Sequence, residues 1–198
     1  MQTALELTDW RRRVAELYAR VRAQADPADG HRIWREGRDR LFREHPQSPL
    51  ADDDPLRRTG LPHWPYDPQL RFDVPLEPAS AALRTIESRH DGIIRLRCIG
   101  RVTLAAIEVT LDVWWLGQYA GGLFLPLRDG TAGTETYGGG RYLLDTAKGA
   151  DLGGTGGRLV VDLNLAYHPS CRYNSVWECP LAPAGNTTPV AIRAGERM

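Results

Sequence analysis

Apolar residues in the first quarter of the chain recur at steps of three and four, which is the period of one helix face. In the first stretch they are Leu7, Trp10, Val14, Leu17 and Val21. Thr3 and Glu6 have capping-box spacing, so the pattern predicts a helix that ends before Asp26-Pro27. A second apolar stripe, made of Ile33, Trp34, Leu41 and Phe42, predicts a second helix, capped by Asp29 and ended by His45-Pro46.

The apolar period changes to two further along the chain. Between residues 93 and 115, apolar positions alternate with arginine, acidic residues and threonine, which is typical of two half-buried strands. A hairpin that turns near Leu104-Ala105 would place Arg101 opposite Glu108 and Arg97 opposite Asp112. Further short strands are predicted at residues 70–74, 122–127, 141–145, 158–167 and 190–193.

These patterns predict an α+β fold that is mostly β, with N-terminal helices packed beside an antiparallel sheet or small β-barrel. Residues 46–69 are crowded with proline and acidic residues and are expected to form an irregular connector. We therefore expect one domain over residues 1–198: a helical segment at 1–45, this connector, and a β-rich core at 70–198.

Charge and composition narrow the classes of partner. The 25 basic and 25 acidic residues balance, so we expect neither a nucleic-acid partner nor a membrane surface. The apolar stretches are far shorter than the roughly 20 residues of a membrane-spanning helix. Three cysteines are few and odd in number, which suits a reducing compartment, and we expect a cytoplasmic protein.

Several segments in the second half of the chain carry a family resemblance. They read Phe-Leu-Pro-Leu at 124–127, Glu-Thr-Tyr-Gly-Gly-Gly-Arg-Tyr at 135–142, Asp-Leu-Asn-Leu-Ala-Tyr-His-Pro-Ser-Cys at 162–171, Cys-Pro-Leu-Ala-Pro at 179–183 and Ala-Gly-Glu at 194–196. This set resembles an uncharacterised bacterial family, the domain-of-unknown-function family 1684. The resemblance implies no activity or cofactor. The chain departs from the family at His168, where asparagine is more usual, and at Gly185 and Thr187-Thr188, where a fuller polar run is usual.

The polar residues of these segments predict a ligand pocket. Arg141 directly follows three glycines, which let a backbone approach a ligand closely, and a guanidinium can bind a carboxylate or phosphate bidentately. The predicted ligand is small and anionic or polar, and whether the protein is an enzyme stays open. The predicted binding residues are Glu135, Tyr137, Arg141, Asp162, Asn164 and Tyr167.

Histidine and cysteine chemistry gives weaker alternatives. His168, Cys171 and Cys179 offer three donors with no evident fourth, so we predict no zinc site. Cys171 could act as a nucleophile with His168 as its base, although we expect Cys171 and Cys179 to be reduced and packed and Cys98 to be core. The resemblance implies a Cys171–Cys179 disulfide for exported relatives.

Two other classes of function stay open. One is a flavin- or nucleotide-binding module of split-barrel type, a class that is usually dimeric, so a homodimer is left open. The other is a structural or interaction protein whose motif residues only tie loops together.

Overall fold

A computed structural model describes residues 2–88, 92–117 and 121–198. Its N-terminal part holds three helices: α1 (Gln2–Arg22), α2 (Pro27–Glu44) and the short α3 (Leu56–Thr59). The two predicted long helices are therefore confirmed. The predicted cap at Asp29 is wrong: the Asp26 side chain accepts a hydrogen bond from the Ala28 backbone N–H and caps α2 one turn earlier. Pro27 fits the first helical position because the N–H it lacks would have no helical partner there.

The strands form two antiparallel sheets. They are β1 (Arg71–Pro75), β2 (Leu83–Ser88), β3 (Gly92–Leu104), β4 (Val109–Leu116), β5 (Gly122–Leu127), β6 (Arg141–Asp145) and β7 (Arg158–Asp162). The larger sheet has the order β2-β3-β4-β5-β6, and β1 pairs with β7 in the smaller one. Over the described ranges the sheets do not close into a barrel, so the predicted α+β, mostly β fold is confirmed in its open-sheet form.

The β3–β4 hairpin has a different register from the predicted one. Arg101 lies opposite Asp112 and forms a 3.1 Å ion pair with it, while Arg97 lies opposite Trp115. The predicted pairings of Arg101 with Glu108 and of Arg97 with Asp112 are therefore wrong. The chain turns through a 3-10 segment followed by Glu108 in the left-handed region, and a register shift between Cys98 and Gly100 displaces the rest.

Two other predicted strands are corrected. The strand expected at 158–167 ends at Asp162, because the Asp162 side chain accepts a hydrogen bond from the Asn164 backbone N–H and turns the chain into a 3-10 segment. Residues 190–193 are irregular rather than a strand. Strand β2, at an edge of the larger sheet, was missed by the pattern.

The hydrophobic core joins the helices to the sheets. Leu17 of α1 and Trp34 of α2 belong to the same buried cluster as residues of β3, β4, β5 and β6. A second cluster contains Cys98, which is 5% exposed, as predicted for a core residue. Among the described residues, no helix combines the length and apolar character needed to cross a membrane. Helix α1 contacts the 3-10 turn Thr146–Lys148, directly after β6, and α2 contacts the 3-10 turn Leu163–Leu165, directly after β7. The candidate site lies at this junction.

Candidate functional site

A cavity of about 80 Å³ lies where α1 and α2 meet β6 and the segment that follows β7. Much of its wall is aromatic, and its polar groups come from separate parts of the chain. The side chains that matter for its chemistry are Tyr18, Arg38, Tyr142, Asp145, Lys148, Tyr167 and Cys179. Of the six residues predicted for the pocket, only Tyr167 lines this cavity.

Arg38 is the most strongly fixed polar group of the cavity. Its guanidinium lies 4.5 Å from the ring centre of Phe42 and 4.7 Å from that of Tyr167, and its side chain is 13% exposed. Nε and Nη2 donate to the Glu196 carboxylate, and Nη2 also donates to the His168 carbonyl at 3.2 Å. No residue that the structure describes accepts a hydrogen bond from Nη1. Nη1 therefore keeps its capacity to donate, and Arg38 is part of the cavity wall.

Glu196 holds Arg38 in this orientation from the buried side. Its carboxylate also accepts hydrogen bonds from the His168 backbone N–H at 2.6 Å and from the Tyr173 hydroxyl at 3.2 Å. Burial alone would raise the pKa of Glu196, but the charge and hydrogen bonds of Arg38 outweigh it and lower the pKa to about 2. Glu196 is thus ionised, and Arg38 has a fixed counter-ion.

The backbone around Gly195 brings Glu196 into the interior. The Glu196 N–H donates to the Ala166 carbonyl at 2.8 Å, and the Gly195 carbonyl accepts from the Trp64 N–H at 3.0 Å. Gly195 has φ +75°, and a Cβ there would lie 2.4 Å from the Ala166 oxygen. Glycine at this position is therefore a structural requirement of the Ala-Gly-Glu segment.

Three further polar groups in the cavity wall have unused hydrogen-bonding capacity. Asp145 is 3% exposed and its Oδ1 is unpaired within the described structure, while Oδ2 lies 3.8 Å from the Lys148 ammonium. The Tyr18 hydroxyl accepts from the Trp34 indole at 3.2 Å, but its own proton finds no described acceptor. The Tyr167 hydroxyl has no hydrogen-bond partner in the described ranges. Among these groups, Asp145 Oδ1 is the buried atom without a partner, and a buried polar atom is costly when it is left unpaired, so it favours a polar occupant.

Burial also sets the protonation of Asp145. It raises the pKa of the carboxyl group, and the nearby Lys148 only partly opposes this effect. Asp145 therefore holds a proton more readily than an exposed aspartate and can donate a hydrogen bond when protonated.

The structure places Arg141 away from this cavity. Its fully buried guanidinium donates to the backbone carbonyls of Ile192, at 2.9 Å, and of Ala194 and Glu196, and forms a 3.3 Å ion pair with Asp129. The three glycines before it therefore lead into a clamp on the C-terminal segment. Gly140 has φ +90°, and a Cβ there would lie 2.6 Å from the carbonyl oxygen of the adjoining strand.

The other predicted residues are also dispersed. Glu135 forms a surface ion pair with Arg193, with both N–O distances at 2.9 Å. The Asn164 side chain accepts a hydrogen bond from the Asp67 backbone N–H and donates one to the Asp67 carbonyl, each at 2.8 Å, and it also donates to Asp162. Asn164 and Asp162 therefore hold the connector in place. Tyr137 lines a separate cleft. Of the predicted set, the structure therefore brings only Tyr167 to the cavity.

His168 is a buried, neutral histidine. Its Nε2 accepts the Tyr137 backbone N–H at 3.2 Å, and its Nδ1 lies 3.6 Å from Glu196. Burial, followed by the charges of nearby arginines, lowers its pKa to about 4 despite the attraction of Glu196. Within the described ranges, no group of three or more His, Cys, Asp or Glu residues is arranged to hold a metal ion.

Sequence reasoning missed Arg38 and Asp145. Arg38 shares one helix face with Trp34 and Phe42, at the four-residue spacing that makes side chains neighbours, and this was the available signal. Asp145 ends a strand whose five residues are all buried, a place where a carboxylate is unusual.

Comparison with known proteins places the chain without assigning an activity. No curated protein matches it. An uncharacterised protein of Haloarcula marismortui, solved by solution NMR, is 30% identical, with a TM-score of 0.58, over 83% of this chain and 90% of that one. A family model described as protein of unknown function (DUF1684) matches residues 58–197, which confirms the predicted resemblance without restricting the family to bacteria. With most of its length covered by that match, the chain belongs to the DUF1684 family.

Proposed function

We propose that the protein binds a small anion, a carboxylate or a phosphate group, in the cavity between α1, α2 and β6. The observation that carries this proposal is the free Nη1 edge of Arg38, a guanidinium held in place by Glu196 and facing a cavity. A fixed guanidinium binds an anion with little loss of side-chain freedom, because its rotamer is already set.

The remaining groups of the wall suit the same ligand. The hydroxyls of Tyr18 and Tyr167 can donate to an anionic oxygen, and Asp145 can donate as well when it is protonated. Lys148, 57% exposed, adds positive charge at the rim. The cavity therefore offers several donors to one acceptor-rich ligand.

Size supports a ligand of only a few non-hydrogen atoms. The volume of about 80 Å³ accommodates several waters, at roughly 10–15 Å³ each on this measure. Pockets for drug-sized ligands are typically about 300–1,000 Å³. The cavity therefore favours a small acid over a flavin or nucleotide. The unpaired groups favour a binding role over a purely structural one, since a structural network would satisfy them internally.

Titration of the full chain with acetate and with inorganic phosphate, followed by isothermal calorimetry, tests the proposal. We expect at least one of the two to bind, and Tyr167→Phe to weaken that binding about tenfold, because one hydrogen bond to a charged group is worth roughly 1.5 kcal/mol. Ala150→Val, which adds two methyl groups to the cavity wall and reduces the space for a ligand, should abolish anion binding.

The matched control is Tyr66→Phe, which removes a hydroxyl from a tyrosine that does not line the cavity. It should bind as the wild type does. The proposal fails if neither anion binds, or if the two tyrosine variants lose affinity equally.

A further inference from the structure

The loop after β7 brings two of the three cysteines together. The Cys179 sulfur interacts with both the thiol and the backbone N–H of Cys171. Both residues are partly exposed and line one cleft of about 250 Å³, with the Cys171 sulfur 3.9 Å from the Tyr137 hydroxyl. All three cysteines of the chain are free thiols, and the third, Cys98, is buried and hydrogen-bonded to the Gly100 carbonyl.

We propose that Cys171 and Cys179 form a thiol–disulfide exchange site, which small disulfides oxidise reversibly, with Cys179 as the attacking sulfur and Cys171 as the resolving one. The inference is independent of anion binding in the cavity. It rests on the position of both thiols in the wall of one cleft and on their partial exposure there.

The surroundings of the two sulfurs assign the roles. Hydrogen bonds from the thiol and backbone N–H of Cys171 lower the pKa of Cys179, and the positive charge of Lys148 acts in the same direction, while burial opposes them. The same contact with Cys179, together with burial, raises the pKa of Cys171. Because the thiolate is the nucleophile, Cys179 reacts first.

The exchange balances in two steps. The Cys179 thiolate attacks one sulfur of the small disulfide, the disulfide bond breaks, and one small thiol leaves after taking up a proton. Cys171 then gives up its proton and attacks the Cys179 sulfur of the mixed disulfide, which expels the second small thiol. Two protein thiols are oxidised to one disulfide, and one small disulfide is reduced to two thiols.

The wall of the cleft guides the choice of probe. Besides the two cysteines and Tyr137, its ionisable residues are Glu87 and Glu178, which are both acidic. A disulfide with cationic ends is therefore the favoured probe, and cystamine has this chemistry. The oxidised pair would also fix one wall of the cavity, because Cys179 lines both spaces.

The test treats the full chain with cystamine near pH 7 and follows it by mass spectrometry without reductant. The wild type should lose two hydrogens, form a Cys171–Cys179 crosslink and recover on addition of dithiothreitol. Cys171→Ser should stop at a mixed disulfide on Cys179. In Cys179→Ser, we expect Cys171 to react about tenfold more slowly than Cys179 does in Cys171→Ser. In Cys171→Ser, Cys179 keeps the backbone N–H of residue 171 and the positive charge of Lys148, which lower its pKa, whereas in Cys179→Ser burial still raises the pKa of Cys171.

Two controls keep the result interpretable. Cys98→Ser should behave as the wild type, because Cys98 is buried on the sheet. In urea the two single variants should react at equal rates, which shows that the folded environment creates the difference. Equal rates in the folded state, or a wild type that stops at a mixed disulfide without a crosslink, would overturn the proposal.

Discussion

Replacing Glu196 with glutamine tests how the interior holds the cavity arginine. The change keeps the size of the side chain but removes the negative charge that faces Arg38. Glu196 is fully buried, and its carboxylate accepts from the Arg38 guanidinium, the His168 N–H and the Tyr173 hydroxyl. In the variant, a largely buried guanidinium loses its counter-ion.

Two independent routes give a similar magnitude for this loss. Removing one partner of a buried ion pair typically costs about 3–5 kcal/mol, because the other charge stays buried without compensation. The pKa of Glu196 is lowered from its ordinary value of 4.5 to about 2. At about 1.4 kcal/mol for each tenfold change in proton affinity, this corresponds to about 3 kcal/mol. We therefore expect the free energy of unfolding to fall by about 3 kcal/mol at pH 7.

The same pKa fixes how this difference depends on pH. A carboxyl group whose pKa is lowered by folding contributes its full stability above the unfolded value, and loses it as the pH falls through the folded value. The difference between wild type and Glu196→Gln should thus be complete above about pH 4.5 and shrink toward pH 2. His63 and His168 also face Glu196; burial lowers the pKa of each, to about 4 for His168.

Urea unfolding at pH 7 and at pH 3 measures both quantities. The control is Glu135→Gln, which removes a carboxylate from an equally bidentate but exposed ion pair with Arg193. Exposed pairs contribute little, so this variant should lose only a small fraction of what Glu196→Gln loses. Equal losses in the two variants, or a loss at Glu196 that is the same at both pH values, would refute the reasoning.

Two further predictions concern buried charges. Arg141→Ala leaves Asp129 buried without its cation, so we expect the free energy of unfolding to fall by about 3–5 kcal/mol. Thermal melts should show this loss both with and without acetate. A small loss in melting temperature together with lost anion binding would instead make Arg141 a ligand anchor. Asp145→Asn should stabilise the protein at pH 7, because burial raises the pKa of Asp145 and makes its charged form costly in the folded state. This gain in the free energy of unfolding should fade as the pH falls toward 3.8. A variant that is less stable than the wild type in urea unfolding at pH 7 would contradict the prediction.

The architecture was predictable because it depends on local periodicity. Steps of three and four identified both long helices, and alternation identified β3 and β4. Strands β5 and β6 were predicted only as short apolar segments between glycine-rich turns, and they are buried on both faces. The hairpin register was not predictable from charge pairing, because a register shift near Gly100 and a left-handed Glu108 alter the alignment. Strand β2 was missed because it is a short edge strand whose described side chains are exposed apart from half-buried Ile86, so it lacks the clean alternation of a half-buried strand.

The site was less predictable because its contacts are long-range. Arg38 and Glu196 are 158 residues apart, and neither the helix pattern nor the C-terminal motif specifies that they meet. Polar motif residues such as Asn164 and Asp162 looked like a pocket, yet they bond to the connector and to each other. A polar residue beside glycines predicts that the backbone comes close to another group. In this protein that group is another part of the same chain and not a ligand.

Arg141 and the Ala-Gly-Glu segment nevertheless act on the cavity through the backbone. Arg141 fixes the carbonyls of residues 192, 194 and 196, and Gly195 allows the close approach that turns Glu196 inward. Glu196 then occupies two of the donor positions of Arg38 and leaves Nη1 to the cavity. On this account the motif positions the guanidinium instead of touching the ligand. Because removing the clamp lets Glu196 shift, Arg141→Ala should weaken anion binding in proportion to the loss of order at Arg38. Glu135→Gln, which breaks the surface ion pair with Arg193, should leave anion binding unchanged.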